Sequence, residues 1–198
     1  VDGEPGGLHA TNGTNYLRAR FQKEGVQIHG QRGNSSKWDV IWQLASLGRE
    51  GAMHAVAKTE PKTKKGTHYA RTFYAHAETT EWFENSPNKI AHGVTITRAP
   101  AGHGPLVIEG SFTGLGAPAF GNGRNTLTLR DAHARPVLEY GDLGAIDATG
   151  SNVQLNVRRS GNTVMILLND ATAEYPVDLK GEFTFPSIGD ARLESNQE

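Results

Sequence analysis

An antiparallel all-β domain, a sandwich or related roll with little or no helix, is the fold the sequence predicts, and three observations predict it. Short runs in which apolar and polar residues alternate recur along the chain. Leu17, Ala19 and Phe21 against Tyr16, Arg18 and Arg20 is the first of them, and that period of two marks a half-buried strand. Turn residues interrupt these runs about every 8–12 residues, the spacing of a sandwich. Finally, no stretch carries the 3.6-residue periodicity of an amphipathic helix. Residues 67–83 lie in the longest run without Gly or Pro, and their threonines and aromatics favour strands.

The elements follow in order. Residues 1–14 are Gly-rich and polar and are expected to form a flexible or docked arm. Residues 15–186 are expected to hold one β domain, and 187–198 a polar tail. Residues 16–21 and 26–28 flank Lys23-Glu24-Gly25 as a hairpin. Residues 38–47 place Trp38, Val40, Trp42 and Leu44 on one face and Ile41 on the other. Residues 53–57 offer a further strand. Residues 58–66, with four lysines and one Glu, suit a solvated loop. Strands are expected at 71–74, 79–83, 93–97 and 106–112, then a Gly/Ala loop at 114–124. The last strands are expected at 126–129, 137–140, 143–146, 153–157, 163–168, 175–179 and 183–185, and the set is expected to hold about twelve short strands. Asp131, Asp147 and Asp170 each follow a strand and precede Ala. An Asp in that place accepts bonds from backbone N–H groups just ahead of it, so these are turn devices. None has the alternate-residue carboxylates of a calcium loop.

Composition excludes several functions. Twenty basic and 21 acidic residues leave a net charge of −1, unlike a basic nucleic-acid binder or a highly charged disordered chain. The absence of cysteine removes disulfide scaffolds, thiolate metal sites and cysteine nucleophiles. No apolar run nears the roughly 20 residues of a membrane helix. Glycine is enriched, at 24 of 198 residues, but no phosphate-binding, nucleophile-elbow or zinc-helix motif accompanies it. No cofactor is expected, and no catalytic residue is assigned.

Two kinds of site remain open. His76 and Glu78 share a strand face, and His92 from a neighbouring strand could complete a three-ligand metal site. The plainer reading, half-exposed sheet histidines, is favoured. His68 has the same parity as His76 but stands roughly 26 Å away along an extended strand. A hydrolase would need two carboxyls roughly 5–10 Å apart. Asp39, Glu81, Glu109 and Asp147 are formally available, and Glu81 opposes Glu78 and Glu84. The binding candidates are aromatic: Trp38, Trp42, Trp82 and Phe83. Core packing is their ordinary role, and an exposed platform for carbohydrate is the functional alternative. Trp82 and Phe83 face opposite ways, so if one is core the other is exposed or covers an interface.

Several motifs together resemble a known module. Thr80-Glu81-Trp82-Phe83-Glu84-Asn85 is followed by Gly93-Val94-Thr95 and by Gly104-Pro105-Leu106-Val107-Ile108. Leu127-Thr128-Leu129-Arg130-Asp131-Ala132, Pro136-Val137-Leu138-Glu139-Tyr140, Asp147-Ala148-Thr149-Gly150 and Tyr175-Pro176 continue the pattern. Over residues 14–179 the chain resembles the N-terminal β-rich module of large exported bacterial proteins that precedes FG-GAP or β-propeller-type repeats. Two departures stand out: Ala91-His92 replaces the module's acidic E-Q pair, and no repeat array follows residue 179. The resemblance implies location and architecture rather than chemistry. It implies a non-enzymatic structural or interaction domain that packs against a protein partner or larger assembly at the cell surface or in the periplasm. A carbohydrate-binding module and a hydrolase are the alternatives.

Overall fold

The computed structural model describes residues 8–12, 17–30, 37–65, 70–86, 89–121 and 125–186. Among these residues the chain is all β, with no helix and therefore none long and apolar enough to cross a membrane. Sixteen strands follow one another: β1 (Leu8–Asn12), β2 (Leu17–Gln22), β3 (Gly25–Gly30), β4 (Trp38–Arg49), β5 (Ala52–Ala55), β6 (Lys62–Lys65), β7 (Ala70–Ala75), β8 (Thr79–Ser86), β9 (Lys89–Ile96), β10 (Leu106–Thr113), β11 (Ala119–Phe120), β12 (Leu127–Arg130), β13 (Pro136–Ile146), β14 (Gln154–Ser160), β15 (Thr163–Asn169) and β16 (Val177–Thr184).

They form two antiparallel sheets in a sandwich-like arrangement. The first runs β1-β2-β3-β4-β10-β15-β14, with β5 paired to the far half of β4. The second runs β11-β12-β13-β16-β9-β8-β7-β6. Inward-facing residues from both sheets share one apolar core, which includes Val40, Trp42, Ile108, Phe112 and Ile166 from the first and Phe83, Val94, Leu138, Tyr140 and Phe183 from the second. This alternation is the one the sequence pattern predicts.

β4 departs from simple alternation. Its pairing with β10 shifts between Glu109 and Gly110, leaving Ala45 unopposed. Such a bulge reverses parity. Trp38, Val40, Trp42 and Leu44 face inward before it, and Leu47 and Arg49 are buried after it. The unopposed Ala45 carbonyl accepts a bond from the Val56 N–H at 2.9 Å.

The strand set also differs from the sequence expectation. Residues 137–140 and 143–146 belong to one strand, β13, whose register shifts between Gly141 and Gly144. Residues 175–179 and 183–185 contribute to one strand, β16, which runs through Gly181. Part of the expected lysine loop is the edge strand β6, exposed along its length. With no buried face, it carries no alternation to read. The expected Gly/Ala loop contains the two-residue β11, and the expected arm contains β1. The polar tail expected at 187–198 lies outside the described residues.

Two of the three Asp turns behave as expected. Asp131 Oδ1 accepts from the His133 and Arg135 N–H groups. Asp147 Oδ1 accepts from Thr149 and Ser151, and its Oδ2 from Glu174. These bonds hold both carboxyls below the usual carboxylate range, the largest contributions being Arg135 for Asp131 and the Thr149 hydroxyl for Asp147. The third, Asp170, is turned inward.

Candidate functional site

The three tryptophans share one packing device. Each indole lies over a glycine of an adjacent strand: Trp38 over Gly30, Trp42 over Gly110, Trp82 over Gly93. A Cβ on these glycines would fall 2.0, 2.2 and 2.2 Å from the respective ring. Bare backbone is therefore what lets a large ring lie flat on the sheet. Trp38 and Trp42 belong to the core. Trp82 is on the outer face of the second sheet, where the Arg71 guanidinium covers it, 4.2 Å from the ring centroid. Only 8% of Trp82 is exposed. Phe83 points inward and stacks on His92 with ring centroids 4.7 Å apart. The four aromatic binding candidates are thus divided between core and a covered outer face. They do not form the exposed, coplanar platform that the carbohydrate alternative requires, because each tryptophan is spent on covering a glycine.

The second feature is a polar quartet sealed between the sheets. Glu81 on β8 is a charged residue facing the core, 5% exposed. Its Oε1 accepts from Trp42 Nε1 of the opposite sheet at 2.8 Å and contacts His92 Nε2 of β9 at 3.0 Å. His92 Nδ1 lies 2.9 Å from the Tyr140 hydroxyl of β13. All three contacts are satisfied if His92 donates from Nε2 to the carboxylate and its Nδ1 accepts from the Tyr140 hydroxyl. Burial, reinforced by the charge of Glu81, pushes the Tyr140 hydroxyl well above the usual phenol range, so it remains a donor. Phe112 and Phe183 pack on the rings of the group, Phe112 on Trp42 and Phe183 on Tyr140 and His92. The quartet is built of groups that carry chemistry elsewhere, an acid, an imidazole and a phenol. Here each one is consumed by the next.

The proposed metal ligands are not brought together. His92 belongs to the quartet. Glu78, in the β7–β8 turn, pairs with Arg98, which holds its carboxyl below the usual range. His76 is half-buried beside the Ala57 backbone, and neither ring nitrogen makes a bond of normal hydrogen-bond geometry. Burial pushes its pKa down, against the opposing pull of Glu81 and the Ala57 backbone. Among the described residues no three metal-ligating side chains gather; His68 lies outside them. The four candidate carboxyls also separate. Asp39 pairs with His29, Glu81 is in the core, Glu109 is on the outer face of the first sheet opposite Met165, and Asp147 holds its turn.

Sequence reasoning missed a third group. Arg49, just beyond the β4 bulge, forms a two-pronged pair with Asp170 at 2.5 and 2.7 Å. It also donates to the Gly104 carbonyl at 2.8 Å, and the Tyr175 hydroxyl donates to Asp170. Burial opposes the charge on Asp170, but the Arg49 and Tyr175 bonds outweigh it and hold the carboxyl below its usual range. The end of β4, the β9–β10 loop and the β15–β16 connection are thereby tied together. The bulge that turns Arg49 inward has no local signature in the sequence. The recurrent Asp at position 170 was the one available sign.

The outer face of the second sheet holds a groove of about 500 Å³, lined by Phe73, Trp82, Thr80, Thr95, Asp178 and Lys180, with Arg71 at its rim. Asp178 accepts from the Thr95 hydroxyl at 2.5 Å, and Arg71 is paired with Glu84. The fold and these groups define a two-sheet, sandwich-like all-β protein whose buried polar side chains join its own layers. Compared with protein-family models, curated proteins and solved structures, the chain matches none of them.

Proposed function

We propose that this chain is a structural interaction domain of an exported bacterial protein, which packs against partner chains at the cell surface or in the periplasm. The observation that carries this reading is the distribution of polar chemistry. The buried acid, imidazole and phenol satisfy one another inside the sandwich, whereas an ordinary strand edge, β14, and an exposed phenylalanine, Phe120, face outward. A domain arranged in this way has surfaces to offer rather than reacting groups. Export comes from the resemblance of residues 14–179 to modules of large exported proteins.

Fractionation of the source bacterium, followed by native sizing of the chain in unfixed extract, tests the reading. The expected result is a protein in the envelope or culture fluid, in a native species larger than its denatured mass in the same extract. A cytoplasmic species of that mass contradicts it.

A further inference from the structure

The sheet edges differ in how they are guarded. β6 is four residues long and carries three lysines, and β11 has two residues. Short length and lysines are the usual protection against unwanted strand pairing. β14 is seven residues long and pairs with β15 along its whole length without a register shift.

The free side of β14 can be assigned residue by residue. Gly161, at φ 54°, begins the two-residue turn between the Ser160↔Thr163 pair. In such a hairpin the flanking pair exchanges hydrogen bonds, and bonded pairs alternate from there. Ser160, Arg158, Asn156 and Gln154 therefore face β15, while Arg159, Val157 and Leu155 direct N–H and C=O outward. The chain itself uses the beginning of this edge. The Val153 N–H, of the same parity, bonds the Ala145 carbonyl of β13 at 2.8 Å, and Ile146 bridges Asn152. Among the described residues, no backbone bond reaches the outward side of Leu155, Val157 or Arg159.

The side chains around this edge state what would fit. Arg158 and Arg159 are consecutive, exposed and on opposite faces of the strand. Neither has an ion-pair partner among the described residues. Arg159 lies 5.8 Å from the Phe120 ring centroid, and Phe120 is 55% exposed. We infer that β14 accepts an extended segment of a partner chain by strand addition, with acidic side chains opposite Arg158 and Arg159 and an apolar one beside Val157 and Phe120. This rests on the interaction-domain reading and names its surface and the chemistry of its partner.

The test uses two capped seven-residue peptides, Thr-Thr-Glu-Glu-Val-Thr-Thr, whose consecutive acids face opposite sides of an added strand, and the same peptide with Lys replacing Glu, followed by fluorescence anisotropy and amide hydrogen exchange. The acidic peptide is expected to bind at least tenfold more tightly than its lysine counterpart and to weaken as salt is raised. It should slow exchange at Leu155, Val157 and Arg159. Arg158→Glu should reduce binding at least tenfold. Arg159→Pro, which removes an outward N–H, should do the same, and thermal unfolding of each variant shows whether the fold is kept. Equal binding of both peptides, no binding, or protection elsewhere overturns the inference. So does concentration-dependent protection of this edge without peptide, which would make a second copy the occupant. If the peptides fail while native sizing shows a larger species, another surface carries the partner. If sizing fails as well, the interaction-domain reading fails with it.

Discussion

Glu81 and Trp82 are neighbours on β8, and each faces the side that its side chain alone would not choose. The carboxylate is inside the sandwich and the indole is outside. The inner arrangement is held by directional bonds, with Trp42 and His92 converging on one carboxylate oxygen and Tyr140 completing the chain. The outer arrangement is held by contact. Trp82 lies between Gly93 beneath and Arg71 above. Burial alone therefore does not identify a core residue here. Trp82 is as buried as many core side chains but would lose its cover if one exposed arginine moved. Glu81 cannot be uncovered without separating the sheets.

That contrast predicts unequal costs. Glu81→Ala leaves Trp42 Nε1 and His92 Nε2 without an acceptor inside the core. The expected loss is about 2–6 kcal/mol, from about 1–3 for each of the two buried donors left unsatisfied, read from urea unfolding. Gly93→Ala attacks the outer face through its floor, placing a methyl 2.2 Å from the Trp82 ring. A loss of about 1–3 kcal/mol is expected from overpacking, with a red shift of tryptophan emission as the ring lifts. A larger loss than for Glu81→Ala would reverse the comparison. Arg71→Ala removes only the cover. It should change stability by less than about 1 kcal/mol, as for an exposed cation–π contact, while acrylamide quenching of Trp82 increases.

The smallest expected effect is a pH dependence from His76, beside the turn that begins β8. Burial holds its folded pKa below the ordinary value of 6.5, so the unfolded chain takes up a proton first as pH falls. The stability contributed by neutral His76 is therefore full above about pH 6.5 and declines as pH falls from there toward its folded pKa. His76→Gln should flatten this part of the stability–pH curve. An unchanged curve would place the group in ordinary solvent.

Much of this fold was legible in the chain because half-buried strands alternate. Residues 17–21 and 153–157 declare their faces directly. β6 did not, because a fully exposed edge strand has no buried face to encode. The continuity of β13 and β16 was hidden by Gly141, Gly144 and Gly181, which read as breaks but sit within strands. The quartet was partly visible. Glu81 could be placed opposite Glu78 and Glu84 on its strand, and His92 departed from the motif it otherwise resembled. That the two meet depends on the antiparallel register of β8 and β9, with Phe83 opposite His92, and on a tryptophan from the other sheet. Pairing across layers is a property of the assembled sandwich, which no local window contains.

The quartet joins the two sheets as one coupled unit. The most direct measurement is a double-mutant cycle in urea unfolding with Trp42→Phe, Glu81→Gln and the double variant. Residues in one bonded network should couple by about 0.5–3 kcal/mol, so the double variant should lose less than the sum of the single losses. Losses that add to within about 0.3–0.5 kcal/mol would contradict the account, leaving Glu81 and Trp42 as neighbours that merely share the core.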